Sequence, residues 1–111
     1  LCNKTLISMK KEKVYLSGKI SGLDHLQALA LFQEAEEKLI EKFQLEVVNP
    51  MKINHEHDLS WESYMKEDIK FLLDCDFIFM LDNWQESRGA IIELNLAMNL
   101  KIKVLNSSCL K

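Results

Sequence analysis

Glycine and proline are scarce in this chain, with three Gly and one Pro among 111 residues, which argues against a long disordered or repetitive segment. No apolar run approaches the roughly 18 residues a membrane-spanning helix requires. Excess positive charge is missing too: 14 Lys+Arg stand against 17 Asp+Glu, for a formal net charge of −3. A binder of nucleic-acid polymers neutralises phosphates with clustered cations, so that class is set aside. The basic cluster from Lys10 to Lys13 is too short to change this and reads as a solubilising stretch. Cysteine is sparse as well. Cys2, Cys75 and Cys109 form neither an even disulfide set nor a C-x-x-C spacing, which predicts a reduced, cytoplasmic protein without a zinc or dithiol centre. The first eight residues lack the basic start, apolar stretch and cleavage site of a secretory signal, and Met9 is the expected natural start.

What remains is the composition of one ordinary globular domain, 48% hydrophobic and 28% charged. Lys13-Val14-Tyr15-Leu16-Ser17 is a short β-branched and apolar run closed by Gly18, with Ser21-Gly22 ending the loop after it. From about Asp24 to Phe43 the residues Ala28, Phe32, Ala35, Leu39 and Phe43 recur at helical spacing, behind a cap at Ser21 or Asp24. Leu45 to Val48 reads as a second strand stopped by Asn49-Pro50, because proline disfavours helical geometry in the residue before it. Ser60 caps a helix carrying Trp61, Tyr64, Met65, Ile69 and Leu72, with Asp68 beside its apolar stripe. Phe77 to Leu81 is continuously apolar, as in a central strand covered on both faces. A helix opening at Ser87-Arg88-Gly89-Ala90 runs to about Leu100, and Ile102 to Leu105 forms the last strand. Strands alternating with helices predict a three-layer α/β fold of the flavodoxin or Rossmann kind. Its four-stranded parallel sheet has the order 2-1-3-4 and helices on both faces. An exposed sheet edge or helical face in so small a sheet gives a physical motive for a homodimer.

In open parallel sheets, ligands bind beyond the carboxyl ends of the strands where the strand order reverses. Three segments converge there: Ser17-Gly18-Lys19-Ile20-Ser21-Gly22, Asp82 to Glu86, and the helix start at Ser87. Free N–H groups at that start favour an anion or a sugar oxygen, and Gly89 allows close approach. Equally, Gly18 can serve only a turn and Ser87 only a cap. Glu93 stands among Ile91, Ile92, Leu94, Leu96 and Ala97, where a carboxylate needs a reason. Either it lies on the solvated side, or it lines the crevice, where it can attack the anomeric carbon of a sugar. Such chemistry needs an acid for the departing group, and Asp68 is the best candidate, its alternative being a surface carboxylate paired with a lysine. Tyr15 either packs in the core or presents its hydroxyl at the crevice, and Trp61, Tyr64 and Trp84 either anchor helices or stack on a base. His55-Glu56-His57-Asp58 carries metal-ligating types without a further His or Cys converging in sequence, so no metal is expected there, and the two-carboxylate chemistry itself requires neither a metal nor an organic cofactor. Cys75 reads as a small buried hydrophobe whose acidic neighbours Asp74 and Asp76 would raise its pKa.

Val14 to Gly22, Asn49-Pro50, Trp61 with Tyr64-Met65, Asp68-Ile69, Cys75-Asp76 and Trp84 to Glu93 together resemble a family of short uncharacterised bacterial and phage domains. That family is similar, on the first loop, the aspartate before the third strand and the Ser-x-Gly to Glu spacing, to two enzyme groups. These are the nucleoside 2-deoxyribosyltransferases and the 2'-deoxynucleoside 5'-phosphate N-hydrolases. The resemblance spans about Lys13 to Leu105. It implies a single domain over residues 13–111 behind a partly flexible extension of residues 1–12. It further implies Glu93 as the nucleophile of a glycosyl-enzyme intermediate, Asp68 as the acid/base near the nucleobase and Tyr15 as the group orienting the nucleophile. Ser17, Gly18, Lys19, Ile20, Trp84, Ser87 and Gly89 would bind the substrate. Ser87 occupies the place of a serine that contacts a 5'-phosphate in the N-hydrolases. Those enzymes carry an arginine late in the first loop where this chain has Ser21, which leaves Lys19 or Arg88 to meet a phosphate. The expected activity is cleavage of the N-glycosidic bond, or 2-deoxyribosyl transfer, on a deoxynucleoside or its 5'-monophosphate. The alternative is a sensor of the same fold that binds a nucleotide-derived ligand without turning it over.

Overall fold

The computed structural model describes residues 11–55 and 60–111. Residues 1–10, with Cys2 and the proposed start at Met9, lie outside the described residues, as do Glu56, His57 and Asp58 of the candidate metal segment. Strand β1 is Lys13–Ser17, helix α1 His25–Phe43, β2 Glu46–Val48, α2 Trp61–Leu72, β3 Phe77–Met80, α3 Arg88–Asn99 and β4 Lys103–Asn106. Single 3-10 turns follow β2, β3 and β4 at Pro50–Lys52, Trp84–Glu86 and Ser107–Leu110. Every strand pairing is parallel, and the sheet runs β2-β1-β3-β4, the order expected from the sequence.

Local chemistry sets the ends of the elements. Of the two candidate caps for α1 it is Asp24 that serves, its carboxylate accepting the Gln27 N–H. Ser60 and Ser87 cap α2 and α3 in the same way, accepting from the Ser63 and Ala90 N–H groups. Helix α1 stops at Gln44, which takes a left-handed conformation (φ 58°) and donates its N–H to the Ile40 carbonyl. Gly18 owes its identity to packing. A Cβ there would lie 2.8 Å from the Leu81 Cβ and 3.0 Å from Asn83 Oδ1, so the loop after β1 presses on the end of β3.

Side chains alternate across the sheet, which sorts β1 into two functions. Val14 and Leu16 face α1 and pack with Phe32, Leu39, Phe79 and Leu81. Tyr15 packs with Ile78, Met80, Leu72 and Ala90 on the opposite face, beneath α2 and α3, and Ser17 shares its parity. The central position of β3 is why Ile78, Phe79 and Met80 are all buried, each at most 2% exposed. Strand β4 ends the sheet instead, and its Val104 is 43% exposed. Cys75 is buried just before β3, donating its thiol to the Phe71 carbonyl at 3.3 Å. Burial, then the nearby charge of Asp74, pushes that thiol up to about 12, far from the range of a reactive thiolate.

Candidate functional site

The strand order reverses between β1 and β3, and a cleft of about 490 Å³ opens there at the carboxyl ends of the strands. The turn after β2 supplies Pro50, Met51 and Ile53 to one wall, while α2 and the start of α3 supply the other. Asn49 holds that turn in place. Its side chain accepts the Met51 N–H and donates to Glu36 of α1, which also receives the Lys52 ammonium at 2.8 Å. A buried Asn beside Pro50 therefore fixes one wall of the cleft to α1.

Glu93 sits on the face of α3 that rests on the sheet and is 5% exposed. Both of its carboxylate oxygens accept hydrogen bonds from β1: the Tyr15 hydroxyl donates to Oε2 at 2.7 Å, and the Ser17 hydroxyl donates to Oε1 at 2.7 Å. Burial pushes the Glu93 carboxyl up to about 7; the hydroxyls of Ser17 and Tyr15 pull against that shift, and the charge of Asp68 adds to it. Burial, reinforced by Glu93, raises the Tyr15 hydroxyl well above its ordinary range, so it stays a donor at neutral pH.

Asp68 projects from α2 into the same cleft and is 8% exposed. His55 Nε2 lies 2.8 Å from Asp68 Oδ1, a contact that requires a proton between them. The His55 ring packs against Tyr64, their centroids 4.5 Å apart. Trp61 lines the cleft on the same wall, with the Arg88 guanidinium 4.4 Å over its ring. Two carboxylates, one protonatable near neutrality and one joined to an imidazole, thus face a common space walled by aromatic rings. Such an arrangement can deliver a nucleophile to one side of a bond and a proton to the other.

Of the residues singled out from the sequence, Tyr15, Gly18, Ile20, Asp68, Ser87, Gly89 and Glu93 line this cleft together. Ser17 touches Glu93 without lining the cleft. Lys19 and Trp84 are not among the lining residues. The Lys19 ammonium pairs with Glu86 at 3.5 Å and its N–H donates to Asn83 Oδ1, while Trp84 packs against the core beneath α2 and α3. Sequence reasoning missed the pairing of His55 with Asp68 and the presence of His25 on the cleft wall. Helical and strand periodicities carry no information about a residue in irregular chain such as His55. Among the described residues, no group of three or more His, Cys, Asp or Glu side chains is placed to hold a metal ion.

Fold and cleft define the class: a doubly wound, parallel α/β domain with a buried two-carboxylate site at its topological switch point. Residues 12–106 match the family described as Domain of unknown function (DUF4406), and the chain belongs to that family. The 2-deoxyribosyltransferase from the psychrotolerant bacterium Bacillus psychrosaccharolyticus shares the fold. Its solved structure aligns with a TM-score of 0.61 at 22% identity, over 85% of this chain and 70% of that one. No curated protein matches the sequence. Among the described residues, no helix is long and apolar enough to cross a membrane.

Proposed function

We propose that the protein cleaves, or transfers between bases, the N-glycosidic bond of a 2-deoxyribonucleoside or its 5'-monophosphate, with Glu93 as nucleophile. The observation that carries this reading is the buried Glu93 carboxylate, doubly hydrogen-bonded and set in one cleft with Asp68. Attack by an ionised Glu93 oxygen forms a bond to the anomeric carbon. The electron pair of the C–N bond leaves with the base nitrogen, which takes a proton from Asp68. In the second half, the oxygen of a water, or the nitrogen of an acceptor base, bonds to the same carbon and loses its proton to the Asp68 carboxylate. The Glu93 carboxylate departs with the electrons of the ester bond. His55 orients Asp68 and stabilises its charge in the ionised half of the cycle. Trp61 and Tyr64 give a base two aromatic surfaces to stack on.

The test is chromatography of free base released from a panel of deoxynucleosides and deoxynucleoside monophosphates. Wild type should release base and Glu93→Ala should not; full release by the variant excludes this mechanism. Saturable binding of a panel member that stays intact would instead mark a sensor. The reading includes a homodimer, because β4 ends the sheet of the described residues with Val104 exposed on it. Sedimentation as a monomer at micromolar concentration would remove that part of the proposal.

A further inference from the structure

A carboxylate on a glutamate has two equivalent oxygens and a broad terminal torsion, so nothing intrinsic decides which oxygen meets a substrate. Here β1 decides it. Tyr15 and Ser17 are two residues apart on one strand and therefore share a face, and they divide the Glu93 oxygens between them. Tyr15, which holds Oε2, lines the cleft and Ser17, which holds Oε1, does not, although each is 1% exposed.

We propose that Ser17 is a positioning residue for Glu93: its hydroxyl holds Oε1, so that Oε2, held by the cleft-lining Tyr15, is the oxygen that bonds to the sugar. This inference rests on the reading of Glu93 as the nucleophile. When Oε2 forms its bond to the anomeric carbon it becomes the bridging oxygen of an ester, a poor acceptor, and the Tyr15 hydroxyl is released from it. Oε1 becomes the ester carbonyl and keeps the Ser17 hydrogen bond, so Ser17 holds the group through both halves of the reaction. Ser17 also shapes the charge. The groups that face Glu93 are Tyr15 and Ser17 from β1 and Asp68 from α2; the hydroxyls favour the carboxylate, while Asp68 and burial oppose it. An alanine at position 17 leaves Oε1 buried without that donor, which disfavours the ionised form.

The experiment reads Glu93 directly, by the ¹³C shift of its side-chain carboxyl as pH is varied in substrate-free protein, the signal assigned by its loss in Glu93→Gln. In Ser17→Ala the midpoint should move up by about one pH unit, as expected for loss of one hydrogen bond to a charged group. Ser17→Thr, which keeps the hydroxyl, should return it towards wild type. Base release by Ser17→Ala should follow the same displacement, falling about tenfold at pH 6. A merely structural role would lower activity without moving the carboxyl midpoint. An unmoved midpoint in Ser17→Ala therefore overturns the proposal, even where the wild type is active. A displaced midpoint in a protein that releases no base from any panel member would instead remove the glycosidic reading and leave the hold of Ser17 on Glu93 standing. If Ser17→Ala does not fold, Ser17→Cys keeps the volume with a much weaker donor, and the same midpoint is read.

Discussion

The protonation of Glu93 contributes stability to this domain that is lost as pH rises from 4.5 to about 7, and the size of the effect follows from its burial. In the unfolded chain the carboxyl has its ordinary value of 4.5, whereas in the fold it is pushed up to about 7. Between those values the folded state binds a proton that the unfolded state has lost, so unfolding releases a proton and stability declines with pH. The contribution is fully present below pH 4.5 and gone above pH 7. At about 1.4 kcal/mol per pH unit, the span amounts to about 3 kcal/mol. Glu93→Gln removes the titration but keeps the shape. Its amide oxygen accepts from one hydroxyl and its amide N–H groups meet the other hydroxyl oxygen, a pH-independent change of about 1 kcal/mol. Urea unfolding of both proteins from pH 4 to pH 8.5 should therefore show their stability difference changing by about 3 kcal/mol in favour of Glu93→Gln as pH rises. A difference that stays constant across this range would refute the burial argument, and with it the account of how the site holds its charge.

Three further outcomes follow from the same geometry. Base release should rise with pH to an apparent midpoint of about 7 on its acid limb, since Glu93 attacks only when ionised; a kcat/KM profile flat from pH 5 to pH 8 would contradict this. Asp68→Asn should lower kcat by about 10²–10⁴-fold, the range for loss of a general acid, and His55→Ala should lower it by a smaller factor, because its imidazole reaches the reaction through Asp68. Gly18→Ala should cost about 1–3 kcal/mol in thermal or urea unfolding, because the added methyl meets the Leu81 Cβ at 2.8 Å.

Periodicity and punctuation made most of the architecture legible in the sequence alone. Helical spacing over Ala28, Phe32, Ala35 and Leu39 marked the buried face of α1, and the apolar run at Phe77 to Met80 marked the central strand, because burial on one face or on both writes itself into the order of side chains. The alternation of β and α segments then left few topologies open, since parallel strands need right-handed crossovers. Glu93 was legible for a related reason: a carboxylate among Ile, Leu and Ala on an otherwise apolar helix conflicts with its surroundings unless it serves something.

Contacts between distant residues were decided only by the tertiary structure. Ser17 and Glu93 are 76 positions apart, and nothing in either segment states that a hydroxyl on β1 meets an oxygen on α3. His55 and Asp68 come together because Asn49 and Glu36 pin the turn after β2, a clasp formed by side chains of modest local preference. Lys19 stands between two lining residues in sequence and Trp84 three positions before another, yet the first pairs with Glu86 and the second packs against the core. Residue order fixed which faces are buried, because hydrophobic burial is a short-range pattern along each element. Side-chain partnership at the cleft depends on how those elements are stacked, and so belonged to the folded molecule alone.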